Sequence, residues 1–152
     1  GGSIALEMAY QMEQNGLRNI SVCLLDTVIE SPQLKALMTT ESLQYRKAKV
    51  VKDMEQEGYD SSYIDNTIAS YLSEVMVNRC KLSGQLAHTR VTLLKAGSQA
   101  SRADPQELRL IMTMPDNGVS QFTGCEVNTI LLEQRHHNNI LEEVALIKQV
   151  IM

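Results

Sequence analysis

Gly1-Gly2-Ser3-Ile4-Ala5-Leu6-Glu7-Met8-Ala9 and, shortly after it, Ile20-Ser21-Val22-Cys23-Leu24-Leu25-Asp26 are the stretches from which the fold is read. The first has the small residues of the back half of a sharp strand-to-helix turn of pattern G-x-S-x-G-G, in which glycines let strand and helix come close. On that reading the serine of the turn lies just upstream of Gly1, and Ser3 is a polar residue at a helix N-terminus. Ile4, Ala5, Met8, Ala9 and Met12 fall on one side of a 3.6-residue period, with Glu7, Gln11 and Gln14 on the other. That spacing predicts an amphipathic helix over 3–15, stopped near Gly16. The second stretch reads as a parallel strand buried on both faces, ending at Asp26.

Further along, Pro32 breaks the chain, and a helical signal runs from there to about Leu82. Leu43, Val50, Val51 and Met54 precede Gly58; after Asp60-Ser61-Ser62, which offer caps, Ile64, Ile68, Leu72, Val75, Met76 and Arg79 continue the helical rhythm. So long a helical stretch exceeds what a crossover needs, and it reads as an inserted helical lid over 32–84. The apolar stripe of Ile64, Ile68, Leu72 and Val75 is expected to face a cleft above the sheet, with packing on the domain core as the alternative for most of these side chains. Val91-Thr92-Leu93-Leu94-Lys95-Ala96 and Glu126-Val127-Asn128-Thr129-Ile130-Leu131-Leu132 read as further strands. Between them Asp104-Pro105 and Pro115-Asp116-Asn117-Gly118 mark a polar, turn-rich loop. A final helix is expected to carry Ile140, Val144, Ile147 and Ile151 on one stripe. Helix, strand, helical insertion, strand, loop, strand, helix is the order of an α/β protein with a mainly parallel sheet.

A length of 152 residues, with 43% hydrophobic and 21% charged, supports one sizeable core. A net charge of −4 argues against a nucleic-acid partner, which needs a basic surface. Arg46, Lys47, Lys49 and Lys52 read as a solvated helix face. No apolar run reaches the roughly 18 residues of a membrane span, and the first residues lack the features of a signal peptide. The expectation is a cytosolic protein that engages neither nucleic acid nor membrane. Cys23, Cys80 and Cys125 are odd in number and widely spaced, with no zinc pattern, so neither a metal nor a nucleophilic thiol is expected.

Ligands of open α/β sheets bind beyond the carboxyl ends of the strands. Two titratable residues are expected there: Asp26, ending its strand, and His137, in the segment after the last strand. A serine hydroxyl needs a base to take its proton, and an imidazole fits if a carboxylate fixes its tautomer. The chain order Ser, Asp, His is that of α/β-hydrolases. Taken singly, Asp26 could be a turn former and His137 a cap, and His136 is a rival base.

The same residues carry a family resemblance. Gly1 to Ala9 with Leu24-Leu25-Asp26 resembles the segment after the active serine in the thioesterase domains of fatty acid synthases, polyketide synthases and peptide synthetases. Val119-Ser120-Gln121, Gly124, Val127, Leu132-Glu133, His137 and Leu141-Glu142 are similar to the final strand and histidine loop of animal type I fatty acid synthase thioesterases. Asn78 to Leu82, running into Val91 to Ala96, resembles their return from the lid. The chain departs from the pattern at Arg135-His136, where the family commonly has Gly-Asp or Gly-Asn.

The resemblance implies the C-terminal portion of an α/β-hydrolase thioesterase domain: elbow helix and strand over 1–31, lid over 32–84, and strands, histidine loop and helix over 85–152. It implies Asp26 and His137 as triad members and release of a fatty acyl chain from the phosphopantetheine thiol of an acyl carrier protein, with no cofactor of its own. The carrier is expected to be a domain of the same polypeptide. A cyclase or acyltransferase of the same family, or a non-catalytic carrier-docking fragment, stays open beside it. Without the serine these residues alone are expected to be inactive. A sheet cut at the elbow is also expected to be poorly stable or to associate through the Ile20–Leu25 edge.

Overall fold

A computed structural model of the chain describes residues 1–29, 31–37, 39–78, 82–98 and 105–151. It separates into two units. The first comprises Gly1–Ile29, Lys81–Ala100 and Ile111–Met152, and the second Glu30–Cys80 and Ser101–Leu110.

The first unit is built on three parallel strands, β1 (Ser21–Leu25), β2 (Arg90–Ala96) and β3 (Val127–Leu132), in the order β1-β2-β3. The register pairs Leu24 with Leu93 and Leu25 with Leu94, then Leu93 with Thr129 and Lys95 with Leu131. Parallel strands covered on both faces need apolar residues in succession, and β2 has them: Leu93 and Leu94 are both 0% exposed. The expectation of a strand buried on both faces therefore fits the central β2. It does not fit β1, which lies at the edge of the described sheet and fully buries only Leu24. Leu6, Ala9, Leu24, Ile29, Leu86, Val91, Leu93 and Val119 form the core of this unit.

Helix α1 (Gly2–Gln14) ends as expected, with Gly16 at φ 82° and its N–H bonded to Glu13 O. Its inward face differs from the periodicity reading. Leu6, Ala9 and Glu13 are buried, while Ile4 and Met8 are 52% and 59% exposed. Glu13 lies on the buried face with Leu6 and Ala9. Its carboxylate accepts the N–H groups of Ala87 (2.8 Å), His88 (2.9 Å) and Thr89 (2.6 Å) and the Thr89 hydroxyl (2.6 Å), in the turn that leads into β2. Burial opposes the charge, but the Thr89 hydroxyl and these three N–H groups outweigh it and hold the carboxyl down to about 2.

The second unit contains α2 (Pro32–Leu37), α3 (Thr40–Gln56) and α4 (Ser61–Asn78). Each has a side-chain cap: Ser31 Oγ accepts Leu34 N–H, Thr39 Oγ1 accepts Ser42 N–H, and Asp60 Oδ1 accepts Tyr63 N–H. Ile64 and Ile68, each 6% exposed, pack with Met54, Val50 and Val51. These two members of the expected cleft-facing stripe are thus buried within the helical unit. The side chains of Leu72, Val75 and Met76 lie outside the described residues, as do Arg79, Cys80 and Asp104.

Two further readings are corrected. The stretch after Asp104 is not all loop: α5 spans Pro105–Thr113, with Pro105 at its first position and Glu107 in its first turn. The last helix is broken, since a 3₁₀ segment covers His137–Glu142 and only Val144–Ile151 (α6) is α-helical. Among the described residues no helix is long and apolar enough to cross a membrane.

Candidate functional site

Asp26 lies one residue past the end of β1. In a parallel ladder the residue opposite Lys95 donates to Leu94 O and accepts from Ala96 N–H. Asp26 N–H does donate to Leu94 O, at 2.8 Å, but its backbone then turns away at φ 45°, and Oδ1 takes the Ala96 N–H at 3.0 Å. Asp tolerates that left-handed conformation better than most residues because its short side chain can bond locally. The ladder is continued by a side chain, which fixes the carboxylate and leaves Oδ2 pointing away from the strand pair. Asn117, 0% exposed, adds a longer contact from Nδ2 to Oδ1 at 3.4 Å, and its carbonyl accepts Ile29 N–H at 2.9 Å.

Oδ2 meets His137. The His137 Nδ1 lies 3.1 Å from it, across 111 positions of sequence. The Asp26 side chain is 15% exposed and that of His137 65%, so a fixed carboxylate faces an accessible imidazole. With Nδ1 directed at the carboxylate, Nε2 is the ring nitrogen through which the imidazole would exchange a proton. The structure brings together the two residues singled out from the sequence. The imidazole of His136, the rival, has its Nδ1 buried, and the His136 main-chain N–H donates to Asn139 Oδ1 at 2.8 Å.

The start of α1 closes on the same edge, because a Cβ added at Gly2 would collide with the Thr27 side chain, next to Asp26. At the ends of β2 and β3, a Cβ at Gly97 would sit 2.5 Å from Glu133 Cα, so the chain leading to the histidine segment can cross there only because residue 97 has no side chain. Lys95, on β2 and 5% exposed, lines a depression of about 290 Å³ with Gly97, Met112, Met114, Leu131 and Glu133. Its ammonium donates to the carbonyls of Ile111 (3.3 Å) and Met114, capping the end of α5. Burial pushes this lysine down, and the negative charges of Asp26 and Asp116 offset part of the effect.

Periodicity reads Lys95 only as a strand residue and Asn117 only as a turn residue. Nothing in their local sequence separates a side chain that supports a carboxylate from an ordinary one. Of the cysteines, Cys23 is half-buried with its thiol pushed up by burial, Cys125 donates to Ala87 O at 3.2 Å, and Cys80 lies outside the described residues. Among the described residues no group of three or more His, Cys, Asp or Glu side chains could hold a metal ion. No protein-family model matches the chain, and no curated protein matches it either.

Proposed function

We propose that the chain is the C-terminal portion of an α/β-hydrolase thioesterase domain that releases a fatty acyl chain from the phosphopantetheine thiol of an acyl carrier protein. The observation that carries this reading is the Asp26–His137 hydrogen bond at the carboxyl edge of a parallel sheet. The close approach of Gly2 to Thr27 supports it, because a residue just before Gly1 would then be near Asp26.

A serine at that place would attack the thioester carbon as His137 takes its proton through Nε2. Asp26 would hold the ring in the Nδ1–H tautomer and stabilise the imidazolium. As the C–S bond breaks, His137 would return the proton to the leaving thiolate, and water activated by the same imidazole would hydrolyse the serine ester. Backbone N–H groups, one of them from the residue after the serine, would stabilise the tetrahedral oxyanion. The carrier would belong to the same polypeptide, in the cytoplasm.

The test begins with the residues encoded just upstream of Gly1. A G-x-S-x context is expected, and any other residue in the serine's place overturns the reading. In the domain completed with that segment, an acyl-phosphopantetheine thioester should yield free fatty acid. His137→Ala should lower kcat/KM by about 10³-fold or more while leaving the fold intact. A cyclic or transferred product in place of the free acid would reassign the release step.

A further inference from the structure

His137 stands on the solvent side of its turn, its side chain 65% exposed. Ile140, 3% exposed, anchors the middle of the 3₁₀ turn. The ends of the turn are tied by Arg135. Its main chain is fixed to the sheet, because its N–H donates to Leu132 O at 3.0 Å and its carbonyl accepts Ser98 N–H at 2.9 Å. Its guanidinium then reaches across the base of the turn, with Nε 2.6 Å from Glu143 Oε1 and Nη1 2.6 Å from Glu142 Oε2.

We propose that Arg135 is a positioning residue: by clamping Glu142 and Glu143 to the ends of β2 and β3, it sets the His137–Glu142 turn so that His137 Nδ1 stays on Asp26. Exposed ion pairs contribute little to global stability, so the consequence of this one is geometric. A fork that engages two carboxylates through two nitrogens fixes direction as well as distance, which one ammonium cannot do. Proton transfer is sensitive to placement on the scale of an ångström. The inference rests on the proposed role of the Asp26–His137 pair, but its test reads the pair itself.

The test is the ¹⁵N spectrum of the His137 ring in the full chain at a pH where the ring is neutral. A hydrogen bond from Nδ1–H to Asp26 favours the Nδ1–H tautomer, and Asp26→Asn supplies the reference state without that acceptor. Wild type is expected to be mainly Nδ1–H. Arg135→Ala should reduce that population by about half or more, toward the Asp26→Asn value, and Arg135→Lys should restore it only in part. Wild-type tautomer populations in Arg135→Ala overturn the clamp. Should that variant fail to fold, two other conditions decide: the Glu142→Gln, Glu143→Gln double variant, and wild type in about 1 M salt, where the screening length falls to about 3 Å. Loss of the Nδ1–H tautomer in both supports the clamp, and its retention in either overturns it. A wild-type ring that is not mainly Nδ1–H also overturns it, since Arg135 would then have no pairing to maintain. A completed domain that keeps the Arg135-dependent tautomer yet hydrolyses no thioester overturns only the functional reading.

Discussion

Glu13 and Asp26 are two carboxylates of the same unit, at opposite ends of the same sheet, and they are used in opposite ways. Glu13, at the amino end of β2, accepts from three successive N–H groups and a hydroxyl, so both its oxygens are consumed by the local chain. Asp26, at the carboxyl end of β1, gives Oδ1 to the sheet and to Asn117 and leaves Oδ2 for His137. A carboxylate saturated by main-chain donors is part of the fold. One that is half committed, with its second oxygen on an accessible imidazole, is equipped to orient a reacting group. The same change, carboxylate to amide, should therefore have different consequences at the two positions.

The largest effect is expected from Asp26→Asn in the completed domain. The amide oxygen can still accept Ala96 N–H, so the ladder survives, but an N–H₂ now faces His137 and forces the other tautomer. If the proposed function holds, thioester hydrolysis should fall by about 10⁴-fold in kcat, with the unfolding midpoint nearly unchanged. An Asp26→Asn enzyme with near-normal turnover would remove Asp26 from the reaction and erase the contrast with Glu13.

Glu13→Gln should do the reverse. Its N–H₂ would be set among the N–H groups of Ala87, His88 and Thr89, leaving buried donors unsatisfied, at about 2–4 kcal/mol of stability in urea unfolding. The His137 ring signals should stay at their wild-type positions, because no Glu13 bond reaches the Asp26 edge. A tautomer change on Glu13→Gln would show that the two ends of the sheet are coupled.

Acid should distinguish the two carboxylates more finely. The Glu13 carboxyl is held at about 2 in the folded chain, against an ordinary value of 4.5. Its contribution is therefore fully present above pH 4.5 and is lost as pH falls through the interval toward 2, about 3 kcal/mol in all. Glu7, Asp60 and Asp116 are also held below their ordinary values, so the wild-type curve falls by more than this share. The difference between the wild-type and Glu13→Gln curves isolates it, and that difference should narrow as the pH drops. A constant difference down to about pH 3 would mean that Glu13 is protonated near its ordinary value and that its hydrogen bonds are weaker than their lengths suggest.

Much of the sheet and of the pair was legible because both depend on local signals. Apolar β-prone runs mark the three strands, and strand-end placement points to Asp26 and to the His136-His137 pair, of which the family resemblance favours His137. What was not legible depends on partners distant in sequence. A β-prone run does not say whether its strand is central, so Ile20–Leu25 reads as buried on both faces although β1 lies at the edge of the described sheet. Pro105 has the same appearance at a turn and at the first position of a helix, and the α5 reading turned on that ambiguity. Asn117 becomes meaningful only when the fold brings it to Asp26, 91 positions away; the partners of Arg135 are near in sequence, but only the 3₁₀ turn brings them to its guanidinium. The inward face of α1 was missed for the same reason: hydrophobicity ranks Met8 above Glu13, and only the N–H groups of residues 87–89 reverse that order.

The smallest effect, that of Met8→Ala, tests that last point. If periodicity alone set the helix, Ile4, Met8 and Met12 would face the core, and truncating Met8 would open a cavity. In the structure Leu6 is 1% exposed among Leu24, Val91 and Leu93, whereas Met8 is 59% exposed. Leu6→Ala should then cost about 2–4 kcal/mol through lost burial and an unfilled cavity, and Met8→Ala less than about 0.5 kcal/mol. The two variants lie on one helix, two residues apart, and alter its intrinsic propensity in the same direction, so their difference reports which face is buried. If Met8→Ala proved as destabilising as Leu6→Ala, α1 would have to be turned toward the periodicity reading. Glu13 would then leave the turn before β2, and the contrast between the two carboxylates would lose its structural half.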